Sequence, residues 1–339
     1  MVPKTNMKKN ASFALLVPLL LAWLSGCALI AGSEDSGPFP APLFKLNFIE
    51  TLRSEESLRG ESYREAVTTV SPTKALQRPG SVYADRFRVY VTDMSPARIF
   101  LFDRGERTAI VLPTPTPPAE GKLLAPSGIA VGAGGVIVVT DSQQGKVFGY
   151  DRNGALLMVL GRAGEFGLPS GIAIDQTKNR LYIADAHAHA VKVYTNMGTH
   201  LFDIGNSGKT NEDFKFPAAV TFDRTGALYV LDSLRPRVFI FSAEGVFIRS
   251  FRIKGAAPGM SVKPKGIAVD SQGHIYITDT LNNNILVYGN EGMPLFSWGK
   301  TGSMFGDFWT PSGIFIDDHD SIYIADQMNG RVQVFQFER

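Results

Sequence analysis

The chain has 339 residues, of which 44% are hydrophobic and 19% are charged, with a single Cys and a formal net charge of +2. This length and apolar content suffice for one large closed array of repeats. The single Cys excludes an internal disulfide, and the small net charge gives no strongly basic field for nucleic acid.

Residues 1–26 are predicted to be a targeting signal. Three Lys within residues 4–9 precede an apolar run, Ala11 to Trp23, that is too short to span a bilayer comfortably. Met7 is an alternative start to Met1, because the signal is complete from either residue. Removal of the signal takes three Lys and no acid, so 34 basic residues become 31 against 32 acidic ones, a net charge of −1.

The signal ends in Leu24-Ser25-Gly26-Cys27, which resembles the bacterial lipobox. The resemblance implies a thioether-linked lipid on Cys27, cleavage before it, and acylation (palmitate or a similar chain) of the new amino terminus. Several acyl chains make a stable anchor, so we expect an extracytoplasmic, lipid-anchored protein. Ala28 lacks the Asp that retains enteric lipoproteins at the inner membrane, which favours the outer membrane, on its periplasmic side or at the cell surface. The alternative is an ordinary secretory signal with an incidental Cys.

The next segments connect the anchor to the repeats. Residues 27–42 are small, polar and Pro-containing, which predicts a flexible tether after the lipidated Cys. Residues 43–78 begin with a stretch, through Leu52, that is apolar enough for a β-strand. The polar remainder is interpreted as a solvated loop, with a helical turn around Tyr63 and Val67 as the alternative.

Residues 79–339 contain six repeats of short β-branched and aromatic strands bounded by Gly, Asp or Asn. The Asp that ends the second strand recurs at intervals of 44 to 48 residues. A leading proline and an aromatic residue that ends the third strand keep the same period. The three columns are Pro79, Pro126, Pro169, Pro217, Pro264 and Pro311; Asp93, Asp141, Asp185, Asp232, Asp279 and Asp326; and Phe102, Tyr150, Tyr194, Phe241, Tyr288 and Phe335.

This period predicts an all-β fold, a six-bladed β-propeller with the first strand of each blade innermost. The last repeat lacks a fourth strand, because the chain ends at Arg339. We therefore expect the N-terminal strand to fill that place and close the ring, which removes exposed sheet edges. An unclosed solenoid is the alternative. Phe166, Phe214 and Phe308, each three residues before a leading proline, are expected to wedge between neighbouring blades.

The repeat also resembles a known family. Its pattern is Pro-x-Gly, an apolar strand ending in Asp, a strand ending in Tyr-x-x-Asp, and a third strand ending in an aromatic residue. It resembles the NHL repeat most clearly in Pro169–Tyr194, Pro264–Tyr288 and Pro311–Phe335. The whole layout is similar to bacterial lipoproteins that carry this propeller. The resemblance implies a platform for protein or RNA, a sensor domain or, in a few cases, a lyase. The export signal and the charge of the mature chain disfavour RNA.

Two polar columns are candidates for function. The Asp column is interpreted as structural turn caps that accept backbone N–H groups, with a ring of ligands as the alternative. At the start of the third strands stand Arg98, Lys146, Arg237 and Arg331. These four form either a positive rim for an anionic partner or ion pairs with the Asp column.

The candidates for metal binding are weak, and no cofactor is predicted. His187 and His189 share one turn, but the sequence offers no evident third ligand. The turn that contains Asp317, Asp318 and Asp320 would suit Ca²⁺, or it is a solvated hairpin turn. The inner strands contain no His, which counts against a lyase and against metal-assisted catalysis generally.

The sequence therefore favours a monomeric binding or scaffold module that docks a protein or a cell-envelope polymer with one propeller face. The expected contacts are Arg98, Lys146, His189, Phe216, Arg237, Trp309 and Arg331, because Arg and aromatic residues are the usual anchors of such surfaces. One alternative is a metal-dependent lyase or hydrolase acting in the central channel. Another is a sensor or assembly factor for an envelope or electron-transfer complex.

Overall fold

The computed structural model describes residue 39 and residues 45–58, 75–113, 115, 120–205, 213–242 and 244–338. Cys27, the rest of the predicted signal and Tyr63 and Val67 lie outside the described residues. Within the described ranges, no helix is long and apolar enough to cross a membrane.

The described strands form six antiparallel sheets of four strands each, so the predicted six-bladed β-propeller is confirmed. Strands follow one another across each sheet from the channel to the outside, and the first strands of neighbouring blades lie side by side around the channel. Two faces result from this order. We call one of them the connection face. It carries the turns between the second and third strands and the segments that join one blade to the next. The opposite face carries the other turns.

Blades 1 to 3 are built from successive hairpins, with every first strand starting at a leading proline. Their strands are β2 (Pro79–Ala84), β3 (Arg88–Met94), β4 (Ala97–Asp103), β5 (Thr108–Val111), β6 (Pro126–Val131), β7 (Ile137–Asp141), β8 (Lys146–Tyr150), β9 (Leu156–Leu160), β10 (Pro169–Asp175), β11 (Arg180–Asp185), β12 (Ala190–Thr195) and β13 (His200–Gly205). A 3₁₀ turn, Ala133–Gly135, links the first two strands of blade 2.

Blades 4 to 6 repeat the arrangement. Their strands are β14 (Pro217–Phe222), β15 (Leu228–Asp232), β16 (Arg237–Phe241), β17 (Phe247–Arg252), β18 (Pro264–Val269), β19 (Ile275–Asp279), β20 (Asn284–Tyr288), β21 (Pro294–Trp298), β22 (Pro311–Ile316), β23 (Ile322–Asp326) and β24 (Arg331–Phe337). A 3₁₀ turn, Gln327–Asn329, precedes the last strand.

The N-terminal strand closes the ring, as predicted. β1 (Leu46–Leu52) pairs antiparallel with β24, with Leu46 opposite Phe337 and Leu52 opposite Val332. Lys45 and Glu338 add an exposed ion pair of 2.8 Å at the same end. Because β24 starts at the connection face, β1 begins at the opposite face.

The described residues directly after β1 include a short α-helix, α1 (Glu55–Leu58), one turn in length. The Ser57 hydroxyl accepts a hydrogen bond from the Arg53 N–H at 3.1 Å, which holds this turn to the end of β1. The predicted solvated loop lies for the most part outside the described residues.

Among the described residues, one hydrophobic cluster fills each of the six junctions between blades. Phe166, Phe214 and Phe308 are buried in three of these clusters, so the predicted aromatic wedges are confirmed. Phe214, for example, lies 5.1 Å from the Phe239 ring in an edge-on arrangement. These wedges seal blade to blade with large apolar side chains.

Four of the six blades start with Pro-x-Gly, and the Gly there has a steric cause. A Cβ on Gly266 would lie 2.6 Å from the Ser312 carbonyl oxygen of the next blade, and Gly171 approaches the Ala219 Cα of its neighbour equally closely. The same carbonyl of Ser312 accepts a hydrogen bond of 2.6 Å from the Thr278 hydroxyl of blade 5. Inner strands therefore contact each other through their backbones, which leaves no room for a side chain at these positions.

Candidate functional site

The connection face is held in place by the Asp column. Asp232 Oδ1 accepts N–H hydrogen bonds from Phe216 at 3.1 Å and from Leu234 and Arg235 at 3.1 and 2.9 Å. One carboxylate thus caps both the following turn and the segment before the leading proline. All six Asp side chains are fully buried and accept such bonds: Asp93, Asp141, Asp185, Asp232, Asp279 and Asp326.

The caps present large apolar side chains to solvent. Leu234 and Leu281 stand at the same position in the turns of blades 4 and 5 and are 72% and 55% exposed. Met328 occupies the matching position in blade 6, and Trp309, 52% exposed, precedes the proline of that blade. With Met94 of blade 1, these residues form what we call the apolar arc, which covers four consecutive blades.

Hydrogen bonds between blades are made by residues that neighbour the members of the arc. Ser233, next to Leu234, donates its hydroxyl to the Pro264 carbonyl of blade 5 at 2.6 Å. Asn283, two residues after Leu281, accepts a hydrogen bond from the Thr310 N–H at 2.7 Å.

The contacts continue into blades 6 and 1. The Met328 N–H donates to the Trp309 carbonyl at 3.0 Å, and Gln327 Nε2 lies 3.2 Å from Met94 Sδ. Hydrogen bonds and close contacts thus link the turns that carry the arc from one blade to the next.

The basic column does not form a positive rim, and two predicted contacts are corrected. Arg331 is completely buried and pairs with Asp326 at 2.8 Å, and Arg98 is nearly buried against Asp93 at 2.9 Å. Neither guanidinium is available to a partner, because each serves the Asp cap of its own blade.

The other two basic positions differ from this pattern. Lys146 makes an exposed ion pair with Glu120 at 3.0 Å. Arg237 is half-buried and donates to the Ser250 hydroxyl at 2.8 Å. The four basic residues therefore have separate local partners and form no common anion site.

The predicted aromatic and histidine contacts lie on the connection face. Trp309 is half-exposed, whereas Phe216 is more covered, with its ring 6.5 Å from the His187 ring. His189 Nδ1 is 2.8 Å from the Lys215 carbonyl oxygen. In the described part of the chain, no three His, Cys, Asp or Glu side chains converge as metal ligands would.

The acidic turn of blade 6 lies on the opposite face, at the other mouth of the channel, away from both histidines. Asp317 Oδ1 accepts the N–H groups of His319 and Ser321 at 2.8 and 2.9 Å. Asp320 accepts the N–H and hydroxyl of Ser271 at 2.9 and 2.7 Å. These carboxylate oxygens are already bound to protein donors.

An arginine side chain spans this mouth of the channel from blade 4 to blade 6. Arg224 of blade 4 donates to the Asp318 carbonyl oxygen of blade 6 at 2.8 Å and lies 3.4 Å from Asp320 Oδ1. Nearby, burial and the Asp85 carboxylate raise the pKa of Tyr83 to about 12, so this phenol stays neutral. Arg224 therefore places positive charge beside the carboxylates of the opposite mouth.

The central channel contains a cavity of about 380 Å³. The residues that directly follow the leading prolines surround its connection-face mouth, and we call them the polar ring: Gly80, Ser127, Ser170, Ala218, Lys265 and Ser312. The residues two positions further along each first strand also line the cavity, and we call them the aliphatic ring: Val82, Ile129, Ile172, Val220, Ile267 and Ile314.

Lys265 is the one charged member of the polar ring. Its side chain is exposed at the mouth of the channel. The surrounding blades nevertheless remove part of the water around the ammonium group, and this desolvation, together with the nearby Lys263, lowers its pKa. Among the described residues, no hydrogen bond or ion pair reaches this ammonium.

Sequence analysis did not select Lys265 or the leucines of the arc. The signal was nevertheless present in the columns. The position after the leading proline is Gly, Ser or Ala in five repeats and Lys in blade 5. The position two residues after the Asp is Leu in two consecutive repeats and Met in the third. A polar turn position occupied by large apolar residues indicates a contact surface.

Comparison with known proteins agrees with this fold. Residues 166–194 match the NHL repeat, and residues 209–293 and 269–339 match a family described as a 6-bladed beta-propeller. The curated Protein brain tumor of Drosophila melanogaster is 26% identical over 137 residues, 39% of this chain and 13% of that protein. The match thus spans a small part of that relative.

Solved structures share the architecture at low identity. Virginiamycin B lyase from Staphylococcus aureus has a TM-score of 0.57 at 13% identity, covering 86% of this chain and 99% of that chain. A gluconolactonase from Xanthomonas campestris has a TM-score of 0.59 at 14% identity, covering 92% and 100%. At such identities the likeness shows the fold alone.

Proposed function

We propose that this NHL-type six-bladed propeller is a docking module that binds a protein partner through the apolar arc of its connection face. The observation that carries the proposal is the presence of large exposed apolar side chains on the same face of four consecutive blades. Soluble surfaces rarely expose such patches unless they bind something.

The chemistry of the arc favours a protein over a polysaccharide or another polar polymer. Leu234, Leu281 and Met328 offer aliphatic and thioether surface, and Trp309 supplies a large aromatic anchor of the kind found in binding hot spots. The Asp caps beneath hold these turns in one conformation, so little ordering entropy is lost on binding.

We further propose that Cys27 carries the lipid anchor outside the cytoplasm. Because β1 begins at the opposite face, a tether from Cys27 would approach the propeller from the side away from the arc. Phe39, within this tether, lies against Tyr288 with ring centroids 5.3 Å apart. The connection face would then remain free to meet its partner.

The anchor is tested by replacing Cys27 with Ala in the full chain. The wild-type chain should incorporate a clickable palmitate analogue and sediment with membranes, and the variant should do neither. Incorporation that persists in the variant would overturn the lipid assignment.

Docking is tested by replacing Leu281 with a photo-crosslinking amino acid in intact cells and identifying the crosslinked adducts by mass spectrometry. One dominant protein adduct is expected, and the double variant Trp309→Ser, Leu234→Ser should reduce crosslinking from position 281 by at least about tenfold. The matched control is Met197→Ser, Met293→Ser, whose side chains are 84% and 68% exposed in turns of the opposite face.

Equal loss in both double variants, with both folded by circular dichroism, would show that the arc has no special role. No specific adduct from position 281 would equally reject the proposed face.

A further inference from the structure

We propose that the connection-face mouth of the central channel is a carboxylate-binding site in which the Lys265 ammonium is the cationic partner. The inference is separate from the docking role of the apolar arc. It concerns the cavity at the centre of the face, and it would hold for a ligand that never touches the arc.

Lys265 differs in charge from its surroundings. Three other basic residues of the same face have acidic partners: Arg98 has Asp93, Lys146 has Glu120 and Arg331 has Asp326. Lys265 has none within the described structure, and Lys263 adds positive charge nearby. A cation at the mouth of an apolar channel, without a counter-ion of its own, favours a bound anion.

The polar ring has a chemistry that suits an anion. Its other members are small and uncharged, and Ser127 among them is partly exposed. The backbone carbonyls at this level would otherwise solvate the ammonium, but several are engaged by hydroxyls of neighbouring side chains. Thr140 donates to the Ser170 carbonyl, Ser233 to the Pro264 carbonyl and Thr278 to the Ser312 carbonyl.

The aliphatic ring lies below the mouth. Its six Val and Ile residues line the cavity beneath Lys265, with most of each side chain buried in the junctions between blades. Such apolar surroundings strengthen a charge interaction at their edge and accept an apolar chain, and the other charged residues of the same cavity, among them Arg224, Asp317 and Asp318, lie at its opposite mouth. The arrangement therefore fits a monocarboxylate with a short aliphatic chain, its carboxylate at the mouth and its chain in the cavity of about 380 Å³.

Two sources could present this chemistry, a free aliphatic acid or the C-terminal carboxylate of a peptide. Calorimetry on the purified full chain distinguishes them with four probes. These are hexanoate, hexanol as its uncharged counterpart, a peptide ending in Ile with a free carboxylate, and the same peptide as its amide.

We expect at least one of the two carboxylates to bind and its uncharged counterpart not to bind. Hexanoate binding would identify a free acid as the source, and binding of the peptide acid alone would identify a chain terminus. Lys265→Met should lower the affinity for the probe that binds by about tenfold to a hundredfold, the usual range for loss of a charge-assisted contact.

The matched control is Lys263→Met, which removes an exposed charge two residues away and should change affinity by no more than about threefold. Circular dichroism verifies that both variants are folded. Failure of both carboxylates to bind, or binding that is unchanged in Lys265→Met, would overturn the carboxylate site. Either result leaves docking at the apolar arc to its own crosslinking test.

Discussion

Arg331 Nε lies 2.8 Å from Asp326 Oδ2, and both side chains are completely buried. The same guanidinium donates to the carbonyl oxygens of Ser303, Met304 and Asp307 at 2.8 to 3.0 Å, in the segment that joins blades 5 and 6. Arg331 thus positions the segment that presents Trp309, although it cannot itself contact a partner.

Replacing Arg331 with Met should destabilise the propeller by about 3–5 kcal/mol, because Asp326 would remain as a buried charge without its partner. The measurement is equilibrium unfolding in urea. Lys146→Met, at the equivalent position of blade 2, is the control. Its ion pair is exposed, so its loss should cost under about 1 kcal/mol. Similar losses in the two variants would contradict the structural role assigned to Arg331.

Thr278 joins blade 5 to blade 6. Its hydroxyl accepts the Gly266 N–H at 2.8 Å and donates to the Ser312 carbonyl at 2.6 Å. Thr278→Val keeps the shape but leaves both backbone groups unsatisfied, so we expect a loss of about 1–3 kcal/mol in the free energy of unfolding. Thr280→Val, whose hydroxyl binds the Lys263 carbonyl at an exposed turn, should cost less. The reverse order would argue against hydroxyl links between blades.

Gly266 should not tolerate a methyl group. Alanine there would bring its Cβ to 2.6 Å from the Ser312 carbonyl oxygen, and backbone cannot move aside as a flexible side chain can. We expect Gly266→Ala to lower the thermal unfolding midpoint and to reduce the free energy of unfolding by about 1–3 kcal/mol. Gly289→Ala, where the nearest atom is 3.8 Å away, is the control and should be nearly neutral. A neutral Gly266→Ala would show that the inner strands can separate without cost.

His274 should make stability depend on pH. Its Nδ1 lies 2.9 Å from Asp270 Oδ2, and this hydrogen bond, against partial burial, raises the pKa of His274 above its usual value. The stabilisation is therefore fully present below the unfolded-state pKa of about 6.5 and is lost as pH rises through the folded-state pKa. The difference in unfolding free energy between wild type and His274→Gln should shrink from pH 5.5 to 8.5. A difference that grows with pH would contradict this sign.

Lys265 should cost the protein stability at neutral pH. Its pKa is lowered on folding, so the unfolded chain binds the proton more tightly, and wild-type stability rises with pH towards the ordinary lysine pKa. Lys265→Met is expected to unfold at a higher temperature at pH 7, with an advantage that diminishes towards pH 10. Lower stability of the variant at pH 7 would mean that the ammonium has a stabilising partner.

The sequence predicted the parts of this protein that repetition exposes. The Pro, Asp and aromatic columns recur in register, so they specified six blades, and the missing final strand specified where β1 had to pair. Phe166, Phe214 and Phe308 were assigned to the blade junctions for the same reason. A repeated residue must satisfy a repeated environment, and its role can be read without coordinates.

The docking face was harder to predict, because a column of similar residues does not imply a column of similar environments. Arg98 and Arg331 are buried beside Asp93 and Asp326, whereas Lys146 and Arg237 have found other partners in their own blades. The burial of each depends on the length and path of the segment that covers it, which differs from blade to blade.

The sequence alone determined the six-bladed ring and its closure, because those follow from a period and a strand count. Tertiary structure alone decided which residues meet across blades. Gln327 of blade 6 lies 3.2 Å from Met94 Sδ of blade 1, and Lys265 stands among small residues from five other blades. These residues are far apart along the chain, and only ring closure brings them to one face and one channel.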